Sequence, residues 1–242
     1  MTPKIKPGIG IAIIFVFVVF AFFAITARGD PVGVDLLSSF VDGGPNKSYS
    51  RADEGGTIST LSLNVSQQTA VWKGYVGNVT GQLVLQDSLN YTLYDWQLTT
   101  INGEVFATRA SSVTWSSIGC ANYANISAEY TPLSMSESDV DSINQTFIYQ
   151  NHSQFTVAGT TLNQDTCPSI ATYLNSTAQV VNTTADFQEV LLDDDLGLVY
   201  ATILEQDTAG YHDLWNYDFQ MIIPDSDAAA TQTTYYFWAE IN

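Results

Sequence analysis

From about Thr60 onward the chain is a succession of short apolar-aromatic runs of period two, punctuated by Asn, Asp, Gly and Ser, with no long stretch of helical periodicity. The runs are Leu61–Val65, Ala70–Tyr75, Gln82–Leu85, Tyr91–Leu98, Glu104–Thr108, Phe187–Leu192, Leu198–Leu204, Tyr217–Ile223 and Thr233–Ala239. Alternation puts one set of side chains on each side of an extended backbone, and runs this short pack as antiparallel sheets laid face to face. The expected fold is therefore all-β, an immunoglobulin-like antiparallel β-sandwich over residues 60–242. A span of about 180 residues is large for one such unit. Either one elaborated unit or two are expected, and the polar, sequon-bearing stretch 134–161 reads as an insertion or a linking region. Two echoes, Gly103–Thr108 with Gly197–Thr202 and Tyr94–Leu98 with Tyr217–Met221, keep residue types but not their spacing and order between the halves. Convergent strand patterning explains them better than tandem duplication.

Between Lys6 and Arg28 no residue is charged, and Ile, Val, Phe and Ala dominate Ile9–Ala27. A helix of that length spans roughly 30 Å, the thickness of a bilayer's hydrocarbon core. Lys4 and Lys6 precede it and every acid follows it, so residues 1–8 are expected in the cytoplasm, 9–27 across the membrane and the remainder outside. Two other readings compete. A signal peptide cut near Ile25-Thr26-Ala27 would have a shorter apolar region, and a pilin-like leader cut after Gly8 would carry a basic residue where Pro7 stands. Residues 28–59, rich in Gly, Asp and Ser, read as a stalk linker.

Nine of the fourteen asparagines lie in Asn-x-Ser/Thr sequons: Asn46, Asn64, Asn78, Asn90, Asn125, Asn144, Asn151, Asn175 and Asn182. Chance would supply about three in a chain of this Ser and Thr content. Such sequons are modified only outside the cytoplasm, on solvent-facing loops. All nine fall before residue 183, and the sequon-free end holds Trp215, Phe219, Met221 and Tyr235–Trp238, which makes 231–242 a candidate subunit contact by strand addition. The chain carries 25 acids against seven bases, a formal net charge of −18, with no Lys or Arg after Arg109. Nucleic acid and anionic lipid headgroups are poor partners for such a surface. Cys120 and Cys167, the only cysteines, are expected to form one disulfide in an extracellular setting.

The segments Trp72–Gly81, Glu205–Tyr211, Asp218–Ile222 and Tyr235–Trp238 resemble segments recurring in membrane-anchored surface proteins of small-genome archaea. The resemblance runs over roughly residues 68–240. It implies an archaeal cell envelope and an all-β ectodomain, and it carries no activity.

Motifs with chemistry are few. Asp193-Asp194-Asp195, Asp225-Ser-Asp227 and Asp139-Val-Asp141 offer hard oxygen ligands for structural calcium (Ca2+), though none fits the twelve-residue calcium loop. Charged turns explain them as well. No Gly-x-Ser-x-Gly elbow, HExxH helix or phosphate-cradling loop occurs, so no catalytic residue or organic cofactor is expected. His152, inside the Asn151 sequon, is expected to be solvated beside a glycan. Trp72, Tyr75, Trp96, Trp115 and Trp215 could stack on sugars or fill a core. The leading function is a structural subunit of the cell surface, in an S-layer-like coat or a filament of many copies. A membrane-anchored adhesin or glycan/protein-binding receptor is the alternative.

Overall fold

The structure is a computed structural model that describes residues 31–33, 71–79, 82–86, 92–97, 100–212, 215–226 and 233–241. The expected membrane span 9–27, the run Leu61–Val65, the sequons Asn46, Asn64 and Asn90, and Asp227 lie outside these residues. No helix among the described residues is long and apolar enough to cross a membrane.

Four of the sequence runs become the long strands of one antiparallel sheet: β5 (Gly103–Thr108), β10 (Gln188–Asp193), β11 (Leu198–Ile203) and β15 (Tyr236–Ile241). The order across the sheet is β15-β5-β11-β10. Beyond β15 lies the two-residue β1 (Val32–Gly33), its residues opposite Ala239 and Trp238. A strand that early falls inside the segment read as a stalk. Beyond β10 lie two short strands end to end: β6 (Gly119–Cys120) opposite Leu192 and Asp193, and β9 (Ser169–Ala171) opposite Gln188–Val190. Four two-stranded sheets complete the described strands. β2 (Trp72–Gly77) pairs with β14 (Phe219–Pro224), and β3 (Gln82–Gln86) with β4 (Thr92–Gln97). β7 (Phe155–Val157) pairs with β8 (Thr160–Leu162), and β12 (Thr208–Ala209) with β13 (Asn216–Tyr217). The described fold is thus mostly antiparallel β-structure with few helices.

Period two sorts the main sheet's side chains into two cores. Val105, Ala107, Leu191, Leu198 and Tyr200 face the β2–β14 ribbon, meeting Met221 and Ile223. Phe106, Val190, Leu192, Val199 and Ala201 face the other way, meeting Trp115, Phe155, Val157, Leu162 and Cys167. Each fully buried large side chain is worth about 1.5–3 kcal/mol in transfer free energy, so both faces contribute. Every residue of β5 and β10 is buried, including Glu104, Gln188, Glu189 and Asp193.

The polar positions are buried because they bond the covering layers. β14 is laddered to β2 on one side only, and side chains of the main sheet serve its other side. Thr202 Oγ1 donates to the Gln220 carbonyl at 2.8 Å, and the Ile222 N–H donates to Glu189 Oε2 at 2.8 Å. On the opposite face Gln188 Oε1 accepts the Ser153 N–H at 2.6 Å, and Glu240 Oε2 accepts the Ala158 N–H at 2.8 Å. Leaving such groups unmatched would cost about 1–3 kcal/mol each. At the start of β5, Gly103 has φ +138°, and a Cβ there would stand 2.0 Å from the Glu240 carbonyl oxygen. Only glycine lets β5 and β15 close at that corner.

The longest described helix, α1 (Tyr123–Leu133), does not follow from the pattern. Asn122 caps it by accepting the Ala124 and Asn125 N–H groups, and Asn125 Oδ1 accepts the Asn122 N–H in return. It ends at Ser134, left-handed at φ 54°, where the Met135 N–H reaches back to the Tyr130 carbonyl. Its buried side is Ile126, Glu129, Tyr130 and Leu133, and Arg109 Nε binds Glu129 Oε2 at 2.7 Å. Asn122→Ala is expected to lower stability by about 1 kcal/mol, read by urea unfolding, because two amide donors lose their acceptor. The segment 134–161 contributes to both cores. It contains α2 (Ile143–Thr146), and Met135, Ile143 and Phe147 join the first core while Phe155 and Val157 join the second.

Candidate functional site

Six sequons fall among the described residues, and the fold treats them differently. Asn78 is exposed just past β2, where the next residue, Val79, donates its N–H to Asp218 Oδ2 at 2.7 Å. Asn125 is half-buried at the first turn of α1, engaged in the cap. Asn144 is half-buried, and its Oδ1 accepts from the Tyr130 and Ser142 hydroxyls at 2.5 and 2.7 Å. Asn151, Asn175 and Asn182 are exposed. They belong to the chain that flanks β9: Asn151 Nδ2 donates to the Val181 carbonyl at 3.2 Å, which places the Asn151 and Asn182 sequons side by side. Asn151 lies against β9, its N–H donating to Ser169 Oγ at 3.0 Å, and β9 is on the side of the main sheet opposite β1 and β15.

The same side is cross-linked. Cys120 and Cys167 form a disulfide with Cα atoms 4.9 Å apart. Cys120 ends β6 and Cys167 stands two residues before β9, so the bond ties the two short strands that share the outer edge of β10. His152 does not lie in solvent beside a glycan. It is fully buried, its Nε2 accepts the Thr166 and Cys167 N–H groups at 3.2 and 2.9 Å, and its Nδ1 donates to the Ser153 carbonyl at 2.8 Å. The sequence offered no sign of this, since the residues on either side of His152 are polar.

The carboxylates proposed for calcium shape turns. Asp139 Oδ2 accepts the Ser136 N–H at 2.8 Å, and Asp193 Oδ1 accepts the Asp195 N–H at 3.3 Å. Asp194, between them in sequence, accepts the Leu196 and Gly197 N–H groups through Oδ1 and the Thr114 N–H through Oδ2. Asp195 holds a left-handed backbone at φ 67° in that turn. Asp141 contributes its carbonyl, which accepts from Trp72 Nε1 at 2.7 Å. Asp225 pairs with Lys73 and accepts the Thr233 N–H at 2.9 Å, joining the ribbon to the approach to β15. Among the described residues no three His, Cys, Asp or Glu side chains gather where they could hold a metal ion.

The aromatic candidates divide as sharply. Trp72 packs on Phe147, Tyr75 on Phe237, and buried Trp115 between Phe106 and Trp238. Trp96 lies on β4 opposite Leu83. Trp215 is 66% exposed.

Among the described residues three carboxyls are displaced upward. Burial holds Glu189 well above the usual carboxylate range, against the single Ile222 N–H bond that favours its charge. Asp193 and Glu205 are raised for the same reason, with neighbouring acids adding to it. Asp225 goes the other way. Its partial burial pushes it up, but the Lys73 ammonium, the Thr233 hydroxyl and N–H and the Ser226 N–H outweigh that and hold it at about 2. The buried hydroxyl of Tyr200 and one oxygen of Glu189 have no hydrogen-bond partner among the described residues. These two groups lie on one face of adjacent strands, since Leu191 is opposite Tyr200 and Glu189 opposite Thr202. Burial this deep favours the uncharged form of both groups. Compared with known protein families, curated proteins and solved structures, the chain matches none.

Proposed function

We propose that this chain is a structural subunit of the cell surface, an N-glycosylated β-ectodomain held by one N-terminal span and assembling in many copies. The observation that carries the reading is the excess of sequons, nine in 242 residues, several of which stand on exposed loops. The disulfide supports the same oxidising, non-cytoplasmic setting. The apolar stretch Ile9–Ala27 is the anchor, residues 1–8 stay in the cytoplasm and the body lies outside. An immunoglobulin-like sandwich is the finer description we favour, supported by the packing of the β2–β14 ribbon across the main sheet. The resemblance to archaeal surface proteins points the same way. The acidic surface suits assembly through glycans, strand edges or divalent cations better than through nucleic acid.

Electron microscopy of the native envelope, with mass spectrometry identifying its major protein, tests the reading. A lattice or fibre made mainly of this chain is the expected result. Scarce, scattered copies would favour the adhesin or receptor, and a chain recovered wholly from the cytoplasm with reduced cysteines would end both readings.

A further inference from the structure

The sequon at Asn175 differs from the other described ones in what surrounds it. Asn175 and Ser176 both hold left-handed backbone, at φ 46° and 61°. Leu174 and Thr177 bond each other across them, N–H to carbonyl, at 2.9 and 2.7 Å. That is a two-residue hairpin turn of type I′, with Asn at a position that tolerates positive φ. The turn is seated on its neighbours. The Asn175 N–H donates to the Gly210 carbonyl at 2.9 Å and the Ser176 N–H to the Tyr211 carbonyl at 2.7 Å, while the Gly210 N–H donates to the Trp215 carbonyl at 3.0 Å. Three chain segments therefore lie side by side, and with neighbouring backbones about 5 Å apart Trp215 comes within about 10 Å of Asn175. Tyr173 stands two residues before Asn175 on the arm of the hairpin and is 56% exposed. The Asn175 side chain is exposed, and no described hydrogen bond engages its amide.

Two exposed aromatic residues, Tyr173 on the arm of the hairpin and Trp215 across the Gly210 backbone, thus stand near an accessible sequon at a hydrogen-bonded turn. We propose that Asn175 carries an N-glycan whose first sugar packs its C–H face over Tyr173 and Trp215, so that the glycan is part of the folded structure. The inference rests on the reading of the chain as an exported glycoprotein. In the transfer, Asn175 Nδ2 forms a bond to the anomeric carbon of a lipid-linked oligosaccharide phosphate. The bond from that carbon to the phosphate oxygen breaks, the lipid phosphate leaves, and Nδ2 gives up one of its two protons and keeps the other. Aromatic rings provide the apolar area that a sugar's C–H face needs, and a turn already fixed costs little further ordering on packing. Asn144 is the internal contrast: half-buried, with its Oδ1 held by two hydroxyls, it offers no such shelf.

The test uses the full chain exported from an N-glycosylating host, with glycopeptide mapping and thermal unfolding. Thr177→Ala removes the sequon while keeping Asn175, at the loss of the 3.4 Å bond from Thr177 Oγ1 to the Asn175 carbonyl, and the same variant made without glycosylation reports the cost of the substitution itself. Sugar on Asn175 and none on Asn144 is expected. Thr177→Ala should lower Tm by about 2–4 °C in the glycosylated protein, the shift that about 1 kcal/mol gives at this size. In a Tyr173→Ser, Trp215→Ser background that difference should vanish, which is the coupling a direct contact requires. A bare Asn175 beside occupied sequons elsewhere overturns the inference and leaves the glycoprotein reading standing. No sugar on any sequon overturns both. An occupied Asn175 whose loss has the same effect with and without the two rings overturns the seating.

Discussion

Replacing Cys120 and Cys167 together by Ser is expected to lower the free energy of unfolding by about 4 kcal/mol, the chain-entropy value for a loop of this length. The two residues are 47 apart, and the segment between them includes α1, α2 and the β7–β8 hairpin. Their location makes the bond matter more than its length alone. β6 meets β10 through two residue pairs and β9 meets it through three, so neither short strand is held strongly by its own ladder. The disulfide makes them one edge. His152 works against a still larger loss, because its Nε2 continues to hold the Thr166 and Cys167 N–H groups after the sulfur bridge is gone. Guanidinium unfolding of the double Ser variant against the oxidised parent gives the measurement. Indistinguishable midpoints would mean that backbone and His152 bonds alone organise this edge.

Much of the strand pattern was legible. The runs at Glu104, Phe187, Leu198, Tyr217 and Thr233 became β5, β10, β11, β14 and β15 with ends shifted by a few residues. Those at Ala70, Gln82 and Tyr91 became β2, β3 and β4. Their alternation of apolar and polar side chains is the signal that sheets leave in a sequence. The echo between Gly103–Thr108 and Gly197–Thr202 also has a physical source: β5 and β11 are neighbours in the same sheet, with Phe106 opposite Ala201 and Val105 opposite Thr202, and both are covered on both faces. Similar surroundings select similar residues.

What was not legible follows from the same physics. Alternation separates apolar from polar side chains without saying which face meets water, and Asp218 and Gln220, the polar positions of the second echo, are buried. Asp218 accepts the Val79 and Asp207 N–H groups, and Gln220 bonds Thr172, Tyr173 and Tyr211. A buried side chain that bonds backbone looks the same in a sequence as one that faces water. Helix α1 was hidden for a related reason. Glu129 occupies its inner face where an apolar residue would reveal the period, and the charge is tolerated because Arg109 reaches it. Pro132 lies inside the helix near its end, and the Ser134 turn follows two residues later. The sequons and the cysteine pair could be read directly from residue identity. Which sequons have room for sugar depends on contacts between Tyr130, Ser142 and Asn144, or between residues 174–176 and 210–215, that no local pattern encodes.

Stability is expected to fall as pH rises above about 4.5, with Glu189 the largest single contributor. Glu189 is fully buried and held well above its ordinary value of 4.5, so the folded chain keeps a proton that the unfolded chain releases above that pH. Its contribution is complete below 4.5 and is lost as pH climbs toward the folded value. Each such proton gives a slope of about 1.4 kcal/mol per pH unit across that window. Asp193 and Glu205 are raised in the same direction and steepen the fall. Asp225 sets the opposite limb. Held at about 2 by Lys73 and Thr233, it stabilises the fold above its ordinary 3.8, and that contribution is lost as pH drops from 3.8 toward 2. The two limbs place the stability maximum between about pH 4 and 5. Glu189→Gln separates them: the amide oxygen can still accept the Ile222 N–H, but the group cannot ionise. Urea unfolding across pH 3–8 should show this variant gaining on the parent as pH rises, with a slope shallower by about one proton, and an acid limb unchanged because Lys73 and Asp225 are untouched. Asp225→Asn should flatten the acid limb alone. Parallel profiles for Glu189→Gln and the parent would mean that the carboxyl is ionised inside the sheet, with the Ile222 N–H and its surroundings stabilising the charge.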